Sequence, residues 1–547
     1  MNYRERYEEW LHASWIDEAT RAELAALTDE KEIEDRFYRD LEFGTAGMRG
    51  TMAAGTNRMN RYIIAKATLG LANYLKTEFP NDYTRGVVIA HDSRNNSADF
   101  ALETAKVLCA CGVPVKLFSE LEPVPVLSFA VRYHNAAGGV VITASHNPRE
   151  YNGYKVYDQT GCQLVPALAD KLTSYVEAVT DFTSIPRSGG ESLLTYIGQE
   201  TVNAFIDAIE TQSIPQANAA DLKVVYTPLH GSGNKPVREI LKRCGFTNVQ
   251  IVPEQELPDG NFPTVVSPNP ENGSALQMGI DLAKKSNADI VFGTDPDSDR
   301  IGVAVNVNGD FKLLSGNQTG ALLADFVCSH RDINEKSTLI TTIVTGEVGA
   351  QVAMSHGVEV QRTLTGFKYI GEKMNKFLKT GERQFVMGYE ESYGYLVGMH
   401  ARDKDAVVAS MLVCEMAAEC KAKGITLIDK LNAIYDKLGY YLDSQESYTL
   451  KGKDGAAKIA SMMDWLRKNG SKFSGVTETI DYKKGVGDLP KENVLKFLCN
   501  DGSWFAVRPS GTEPKIKIYY SIKDKDQKSA KAKHEARRAE ITSAIGL

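Results

Sequence analysis

Three aspartates alternate within five residues of this chain and offer carboxylate ligands for a metal ion. Asp295, Asp297 and Asp299 lie between two apolar stretches, 290–292 and 301–305. In an extended loop between buried strands, the three side chains can converge on one hard cation, magnesium or calcium. An EF-hand is excluded, because its sixth and twelfth residues should be glycine and glutamate, whereas the chain has arginine and asparagine there.

A serine follows another apolar stretch, residues 139–142. Ser145 stands in the segment Thr-Ala-Ser-His-Asn-Pro, residues 143–148. This position is expected to expose its hydroxyl at the edge of a sheet, as a nucleophile or phosphate carrier requires. A simple turn explains the same residues equally well, since Ser, Asn and Pro are common turn formers. The serine alone therefore leaves both interpretations open.

A third polar loop is rich in tyrosine. Glu390 and Ser392 lie between Gly388 and Gly394, with three tyrosines interleaved. A carboxylate acceptor and a hydroxyl donor suit the vicinal hydroxyls of a sugar. A tyrosine-rich strand also serves ordinary sheet packing, so this loop by itself does not decide the ligand.

A fourth loop combines one arginine with two hydroxyls around a glycine: Arg508, Ser510, Gly511 and Thr512. A forked guanidinium, two hydroxyls and backbone N–H groups are what a dianionic phosphate demands. A turn at residues 509–511 explains the proline and glycine but needs neither the arginine nor the threonine. Together the four loops describe phosphoryl transfer on a phosphorylated sugar.

Two nucleotide-binding motifs can be excluded. The pattern G-x-x-x-x-G-K-[ST] does not occur, and Gly231-Ser232-Gly233 is followed by Pro236 where a dinucleotide fingerprint needs its third glycine. The sequence therefore gives no support for a P-loop ATP site or a dinucleotide-fingerprint NAD site.

The elements that must position these loops repeat three times. Short apolar strands alternate with helices that end near Gly112, Gly245 and Gly357. This order is typical of parallel α/β units, whose ligands gather beyond the carboxyl ends of the strands. From about Asp443 the order changes to a helix, strands at 504–507 and 515–520, and a Lys/Ala-rich helix to Leu547.

We therefore predict an α/β protein with three tandem domains of like topology, built on mixed or parallel sheets, and a smaller C-terminal α+β domain. The active site is expected in the central cleft. The predicted limits are 1–205 for an N-terminal helix and the domain with the serine loop, 206–320 for the metal loop, 321–442 for the sugar loop and 443–547 for the phosphate loop.

Composition is that of an ordinary globular protein. The 547 residues include 63 Lys and Arg against 70 Asp and Glu, a formal net charge of −7. No basic run favours nucleic acid. The longest apolar stretch, 406–416, falls short of the roughly 18 residues of a membrane span, and no signal peptide opens the chain. The eight cysteines form no C-x-x-C pair. We expect reduced thiols, a cytoplasmic location, and neither a membrane nor an obligate protein partner.

All four loops, in this order, resemble those of the α-D-phosphohexomutase superfamily, the phosphoglucomutase and phosphomannomutase enzymes. The resemblance covers about residues 43–520. In that family the serine carries a phosphate, which implies catalytic roles for Ser145 and its neighbour His146. The aspartate loop implies one Mg²⁺ per chain, held with the phosphoserine by Asp295, Asp297 and Asp299, and Arg300 as a substrate contact.

The other loops carry implied substrate contacts. The sugar loop implies Glu390 and Ser392, although Tyr389 intervenes after the glycine of the family pattern. The phosphate loop implies that the non-reacting phosphate is bound by Arg508, Ser510, Gly511 and Thr512.

Smaller matches extend the resemblance. The segment 44–50 resembles an N-terminal loop whose arginine, here Arg49, lies near the transferred phosphoryl group. Residues 365–368 resemble a loop that reads the position of the sugar, which implies Thr365 and Gly366. Lys155 and Lys404 match positions proposed for acid/base work.

The resemblance implies an intramolecular phosphotransferase, an isomerase that acts through a phosphoserine and a hexose bisphosphate. The Glu-Glu-Ser sequence of the sugar loop resembles the branch that acts on glucose phosphates, so the expected reaction interconverts glucose 1-phosphate and glucose 6-phosphate, with glucose 1,6-bisphosphate as activator. Segments 43–50 and 151–157 resemble a branch that also contains phosphopentomutases, so mannose and pentose phosphates stay open. A phosphosugar phosphatase and a non-catalytic sensor are the alternatives from other classes.

Overall fold

The computed structural model describes residues 1–44, 47–450, 454–510 and 515–547. The chain folds into two compact units, each made of several segments. Unit one consists of Met1–Leu314, Phe367–Gly381 and Gly394–Ala422, and unit two of Ser315–Gly366, Glu382–Tyr393 and Lys423–Leu547. The limits of the four domains predicted from the sequence stay a prediction.

The elements up to residue 314 are, in chain order, α1 Tyr3–His12, α2 Glu18–Ala25, α3 Glu30–Phe37, β1 Met48–Thr51, α4 Arg61–Glu78, β2 Val87–His91, α5 Ser97–Ala110, β3 Val115–Phe118, α6 Val124–Tyr133, β4 Gly138–Ile142, β5 Tyr151–Asp158, α7 Pro166–Glu177, β6 Leu194–Ile197, α8 Gln199–Glu210, β7 Val224–Thr227, α9 Asn234–Arg243, β8 Val249–Ile251, α10 Pro253–Glu256, α11 Gly273–Ser286, β9 Ile290–Thr294, β10 Ile301–Val307 and β11 Asp310–Leu314.

The remaining elements are α12 Gly316–His330, β12 Ser337–Thr342, α13 Glu347–Ser355, β13 Glu359–Thr363, α14 Phe367–Thr380, β14 Gln384–Glu390, β15 Gly394–Val397, α15 Ala406–Ala422, α16 Leu427–Leu438, β16 Tyr440–Thr449, α17 Gly455–Asn469, β17 Val476–Asp481, β18 Leu495–Cys499, β19 Trp504–Pro509, β20 Lys515–Asp524 and α18 Gln527–Ile545.

The same strand arrangement occurs three times. In unit one, β2 pairs in parallel with β3 and β4, and β5 runs antiparallel beside β4. Strand β7 likewise lies between β8 and β9, with β10 antiparallel beside β9. In unit two, β12 pairs in parallel with β13 and β14. The predicted like topology is confirmed, and the strands read as apolar runs because helices cover a parallel sheet on both faces.

Aromatic residues connect the three N-terminal helices to the first α/β domain. Helix α1 begins with a capping box in which Asn2 and Glu5 exchange hydrogen bonds. Trp10 packs edge to face against Trp15, Phe37 and Tyr62, with ring centroids 5.2 to 5.8 Å apart. These contacts join the N-terminal helices to the core of the first α/β domain, where β2 and β4 lie.

The C-terminal domain is the predicted α+β structure in unit two. Its antiparallel sheet has the order β16-β20-β19-β18-β17, and α17 and α18 supply Ile459, Leu466 and Ile541 to a core with Phe497 and Phe505. The sequence analysis missed three of the five strands, β16, β17 and β18. The two edge strands among them, β16 and β17, carry mostly polar, partly exposed side chains. Edge strands bury little surface and leave a weak hydrophobic pattern.

In the described part of the chain, no helix has the length and apolar character that crossing a membrane requires. All eight cysteines are free thiols, six of them buried.

A buried carboxyl in unit two makes stability depend on pH. Burial raises the pKa of Asp443, a hydrogen bond from Ser521 lowers it and the charge of Glu347 raises it, so that the pKa is about 7. A carboxyl with a raised folded-state pKa contributes stability that is lost as pH rises from its unfolded value through about 7. Asp443→Asn is therefore expected to gain about 2–3 kcal/mol of unfolding free energy over the native protein between pH 5 and pH 8.

Urea unfolding of both proteins across that pH range measures the difference. Asp436→Asn, at an exposed position on α16, is the control and is expected to track the native protein at each pH. A gain for Asp443→Asn that is constant from pH 5 to pH 8 would contradict the prediction.

Candidate active site

Ser145 follows β4 at the carboxyl end of the first sheet. Its hydroxyl donates to Asp295 Oδ2 at 3.0 Å and lies 3.1 Å from Nδ1 of His146. The side chain is 2% exposed, so the expectation of an exposed hydroxyl is wrong. The aspartate and histidine cover it, which keeps bulk water from the oxygen that the sequence predicts as the phosphate carrier.

The serine backbone adopts an uncommon conformation. Ser145 has φ +54°, in the left-handed region that non-glycine residues seldom occupy. Its N–H donates to Oγ1 of Thr143 at 2.8 Å, and the same hydroxyl donates to Asp297 Oδ2 at 3.1 Å. Thr143 therefore links the backbone of the serine loop to the aspartate loop.

The three aspartates meet in a hairpin between β9 and β10. One carboxylate oxygen from each of Asp295, Asp297 and Asp299 lies within 4.8 Å of the others. The loop is a tight turn rather than the extended loop expected from the sequence, and Ser298 at its tip has φ +51°. Backbone N–H groups of Asp299 and Arg300 donate to Asp295 Oδ1 at 3.1 and 3.0 Å, which holds the turn closed.

The triplet concentrates negative charge in a buried space. Each of the three side chains is at most 2% exposed. Burial raises the pKa of Asp295 well above its usual range, and the carboxylates of Asp297 and Asp299 raise it further. Within the described residues, Oδ1 of Asp297 and Oδ1 of Asp299 are buried without a hydrogen bond. Orphaned oxygens among crowded carboxylates fit a divalent cation.

Two lysines contact the same carboxylates. Lys155 Nζ lies 3.0 Å from Asp297 Oδ2, and Lys404 Nζ lies 3.0 Å from Asp299 Oδ2. Burial opposes ionisation of Asp297, but the Lys155 ammonium holds the pKa of that carboxyl below its usual range. Lys404 also contacts Asp403, which accepts a hydrogen bond from Tyr157 at 2.7 Å. The structure thus brings both sequence-predicted lysines to the metal loop.

The remaining candidates of unit one surround the serine. Burial lowers the pKa of His146 well below its usual range, and the charges of Arg300 and Arg49 lower it further, so the ring is neutral near pH 7. Arg49 is exposed and donates to Oδ1 of Asn147 at 3.1 Å. Arg300 is ion-paired with Glu271.

Unit two brings two of the predicted sugar-binding segments together. Glu390 ends β14, is 5% exposed, and accepts a hydrogen bond from the N–H of Gly366 at 2.8 Å. The neighbouring Thr365 hydroxyl is buried with no hydrogen bond within the described residues. Ser392 follows on the turn after β14 and is half-buried. Gly366 and Glu390, which are 24 residues apart in the chain, thus belong to one cluster of polar groups.

The predicted phosphate loop begins within the last residues of β19. Arg508 donates through Nε to Glu492 Oε1 at 2.8 Å, and the N–H of Ser510 donates to the carbonyl of Lys515 at 2.7 Å. Gly511 and Thr512 lie outside the described residues.

Sequence reasoning missed Asp92 and Arg94. They follow β2, which is the parallel neighbour of β4, and Arg94 donates to the carbonyl of Ser145 at 2.6 Å. The signal was available, because the pair occupies the carboxyl end of a buried strand, as the four predicted loops do.

Comparison with known families accounts for nearly all of this architecture. Four consecutive family models match: the phosphoglucomutase/phosphomannomutase alpha/beta/alpha domains I, II and III at residues 40–182, 203–309 and 315–438, and the C-terminal domain of the same family at 457–538. The chain belongs to the phosphoglucomutase/phosphomannomutase family. This confirms the family and the enzyme class, a phosphosugar mutase, that the sequence predicts.

Curated relatives cover most of the chain. A phosphoglucomutase of Staphylococcus haemolyticus is 37% identical over 508 residues, covering 89% of this chain and 91% of its own. A phosphoglucomutase of Staphylococcus aureus is 37% identical over 533 residues, covering 94% of this chain and 95% of its own. At this identity and coverage, the relatives support membership of the family over most of the chain.

Solved structures share the fold. A phosphoglucomutase/phosphomannomutase family protein of Burkholderia thailandensis aligns with a TM-score of 0.71 at 19% identity, covering 92% of this chain and 97% of that one. Parafusin of Paramecium, a phosphoglucomutase, aligns with a TM-score of 0.71 at 18% identity, covering 93% of this chain and 96% of that one. These likenesses support the four-domain fold.

Proposed function

We propose that this protein interconverts glucose 1-phosphate and glucose 6-phosphate through phosphorylated Ser145 and a glucose 1,6-bisphosphate intermediate. The observation that carries the proposal is the serine hydroxyl 3.0 Å from Asp295 Oδ2, at the edge of the buried carboxylate triplet. Relatives at 37% identity that carry the name phosphoglucomutase support glucose as the sugar.

One Mg²⁺ per chain is proposed to be held by Asp295, Asp297, Asp299 and an oxygen of the phosphorylated serine. The orphaned, buried oxygens of Asp297 and Asp299 fit such an ion. When bound, the ion supplies positive charge to the oxygens of the transferring phosphoryl group.

The residues of unit one perform the transfer. The bond between phosphorus and Ser145 Oγ breaks while a bond to the free hydroxyl oxygen of the sugar forms, and the hydroxyl proton passes to the serine oxygen. Lys155 and Lys404 are proposed as the acid/base groups, and Arg49 as a stabiliser of the phosphoryl charge. His146, neutral beside the hydroxyl, holds the serine in place. The bisphosphate then turns over, and its other phosphate returns to Ser145.

Substrate recognition is proposed for residues that the resemblance singles out. Glu390, Ser392, Thr365 and Gly366 bind sugar hydroxyls, and Arg300 contacts the substrate. The non-reacting phosphate is bound by Arg508, Ser510, Gly511 and Thr512. The proposal places the protein in the cytoplasm, with glucose 1,6-bisphosphate as activator, and without a nucleic-acid, membrane or obligate protein partner.

A coupled assay tests the proposal. Purified protein receives Mg²⁺, a trace of glucose 1,6-bisphosphate and glucose 1-phosphate, with mannose 1-phosphate and ribose 1-phosphate in parallel. We expect glucose 6-phosphate to form fastest. A faster reaction with mannose or ribose phosphate would transfer the assignment to that sugar, and release of inorganic phosphate without an isomerised product would replace the mutase by a phosphatase.

A further inference from the structure

Two fully buried side chains lie behind the serine loop, which we define as residues 143–148. Asp92 and Arg94 follow β2, and the Asp92 N–H donates to the carbonyl of Ile142 at 3.1 Å, at the end of β4. Asp92 Oδ2 lies 3.3 Å from Arg94 Nε, and both side chains are 0% exposed. Asp92 Oδ1 also accepts hydrogen bonds from the N–H of Arg94 at 2.9 Å and from Ser97 Oγ at 2.7 Å. The carboxylate therefore holds the main chain of Arg94 by a hydrogen bond and its guanidinium by an ion pair.

The Arg94 guanidinium donates to main-chain carbonyls on and beside the serine loop. Nη2 donates to the carbonyl of Ser145 at 2.6 Å and to that of Asn147, and Nη1 donates to those of Pro148 at 2.9 Å and Tyr151 at 3.1 Å. The ring of Phe262 lies under the guanidinium, 5.1 Å from its central carbon. The planar guanidinium of an arginine has several N–H donors in fixed directions and can bond to all of these carbonyls at once. The ammonium of a lysine has one nitrogen and cannot reach them all.

The loop needs this support because its backbone is strained. Ser145 has φ +54°, a conformation that is unfavourable for a residue with a β-carbon and persists only where the surroundings enforce it. Thr143 Oγ1 accepts from the Ser145 N–H, and Arg94 donates to the Ser145 carbonyl, so both main-chain polar groups of the serine are held. The direction of the Ser145 Cα–Cβ bond, and thus of Oγ toward Asp295, follows from this backbone.

We propose that Arg94, oriented by Asp92, is a positioning residue that holds Ser145 in its left-handed conformation for phosphoryl transfer. The inference rests on the proposed function of Ser145. The hydrogen bonds of the guanidinium to the serine loop are made to main-chain oxygens, so Arg94 acts through the backbone of the loop and not on the reacting oxygen. Its effect belongs to the transfer step and not to sugar binding.

Arg94→Met, Arg94→Lys and Asp92→Asn test the proposal, with Arg132→Met as the matched control. Arg132 donates to the carbonyls of Met399 at 2.7 Å and His400 at 3.2 Å, so the control removes similar contacts elsewhere in unit one. Three quantities are measured on the full-length protein: kcat and KM in the coupled assay, the phosphorylated fraction of Ser145 by intact mass, and amide hydrogen exchange of the serine loop without substrate.

We expect Arg94→Met to lower kcat by about 100-fold, with KM for glucose 1-phosphate within about threefold of the native value. Exchange of the loop amides is expected to rise by about tenfold or more, because the strained backbone is released. Arg94→Lys keeps the charge but loses the fork, so it should recover no more than about tenfold of the lost kcat. Arg132→Met should keep kcat within about twofold of the native value and leave loop exchange unchanged.

Native kcat and native loop exchange in Arg94→Met would overturn the proposal. Full kcat in Arg94→Lys would also overturn it, by assigning the effect to charge alone. If Arg94→Met does not fold, Arg94→Lys and Asp92→Asn test the proposal instead, since each replaces a side chain by one of similar size. Both are expected to raise hydrogen exchange of the serine loop. If the native protein has no mutase activity, the proposed function is refuted. The role of Arg94 is still tested in that case, because hydrogen exchange shows whether Arg94 holds the loop.

Discussion

Ser145→Ala is expected to lower the rate of glucose 6-phosphate formation by at least about 10⁴-fold. The alanine has no oxygen that can carry the phosphoryl group, and among the described residues no other serine hydroxyl donates to a carboxylate of the aspartate triplet. The coupled assay measures the rate, and intact mass after incubation with glucose 1,6-bisphosphate measures phosphorylation. We expect one added phosphoryl group on the native protein and none on the variant.

Two further variants make this result specific. Ser119 follows β3 as Ser145 follows β4, but its side chain is exposed and the triplet is buried, so Ser119→Ala should keep full activity. Ser145→Thr keeps a hydroxyl but adds a β-branch at φ +54°, which that conformation does not tolerate. We expect it to stay at least about 100-fold slower than the native protein. Phosphorylation of Ser145→Ala at the native level would show that another residue carries the phosphate.

Asp295→Asn is expected to change stability and activity in opposite directions. Without metal, the substitution removes one of three crowded buried carboxylates, so the melting temperature in a chelator should rise by a few degrees. Loss of the ligand should lower kcat/KM by about 10³-fold or more and abolish the rise in melting temperature that Mg²⁺ gives the native protein. Thermal melts with chelator and with Mg²⁺, together with the coupled assay, measure both effects.

The matched control is Asp281→Asn on the exposed face of α11, where the carboxylate contacts only Gln277 among the described residues. It should behave as the native protein with and without Mg²⁺. Removal of metal from the native protein should abolish activity, and added Mg²⁺ should restore it. A native melting temperature that does not respond to Mg²⁺, in a protein that stays active in chelator, would contradict a metal site at the triplet.

Much of the site could be predicted because its residues are local in sequence. Asp295, Asp297 and Asp299 occupy alternate positions in a short loop between two buried strands, which keeps their carboxylates close together. Ser145 follows β4. In parallel α/β units the loops at the carboxyl ends of neighbouring strands gather at one edge of the sheet, so the sequence predicts that Ser145 lies at such an edge. The pairing of Ser145 with Asp295, 150 residues apart, follows only from the packing of one α/β domain on the next within unit one.

Other features depend on contacts that no local pattern carries. The position of Arg94 at the carboxyl end of a buried strand marks it as a candidate, but its contact with the serine loop appears only when β2 and β4 lie side by side. The buried state of the Ser145 hydroxyl arises because Asp295 and His146 cover it. The edge strands β16 and β17 were missed since their polar side chains give no hydrophobic period.

The sequence by itself determined the repeated α/β architecture, the four loops with their order, and the residue types available for phosphoryl transfer, because periodicity and motif spacing are local properties of the chain. Only the tertiary structure decided which of these groups meet, how deeply they are buried, and which backbone conformation the serine adopts. These depend on hydrogen bonds and desolvation between segments far apart in sequence. Burial, together with the charges of Lys155 and of the neighbouring carboxylates, sets the charge balance of the aspartate triplet.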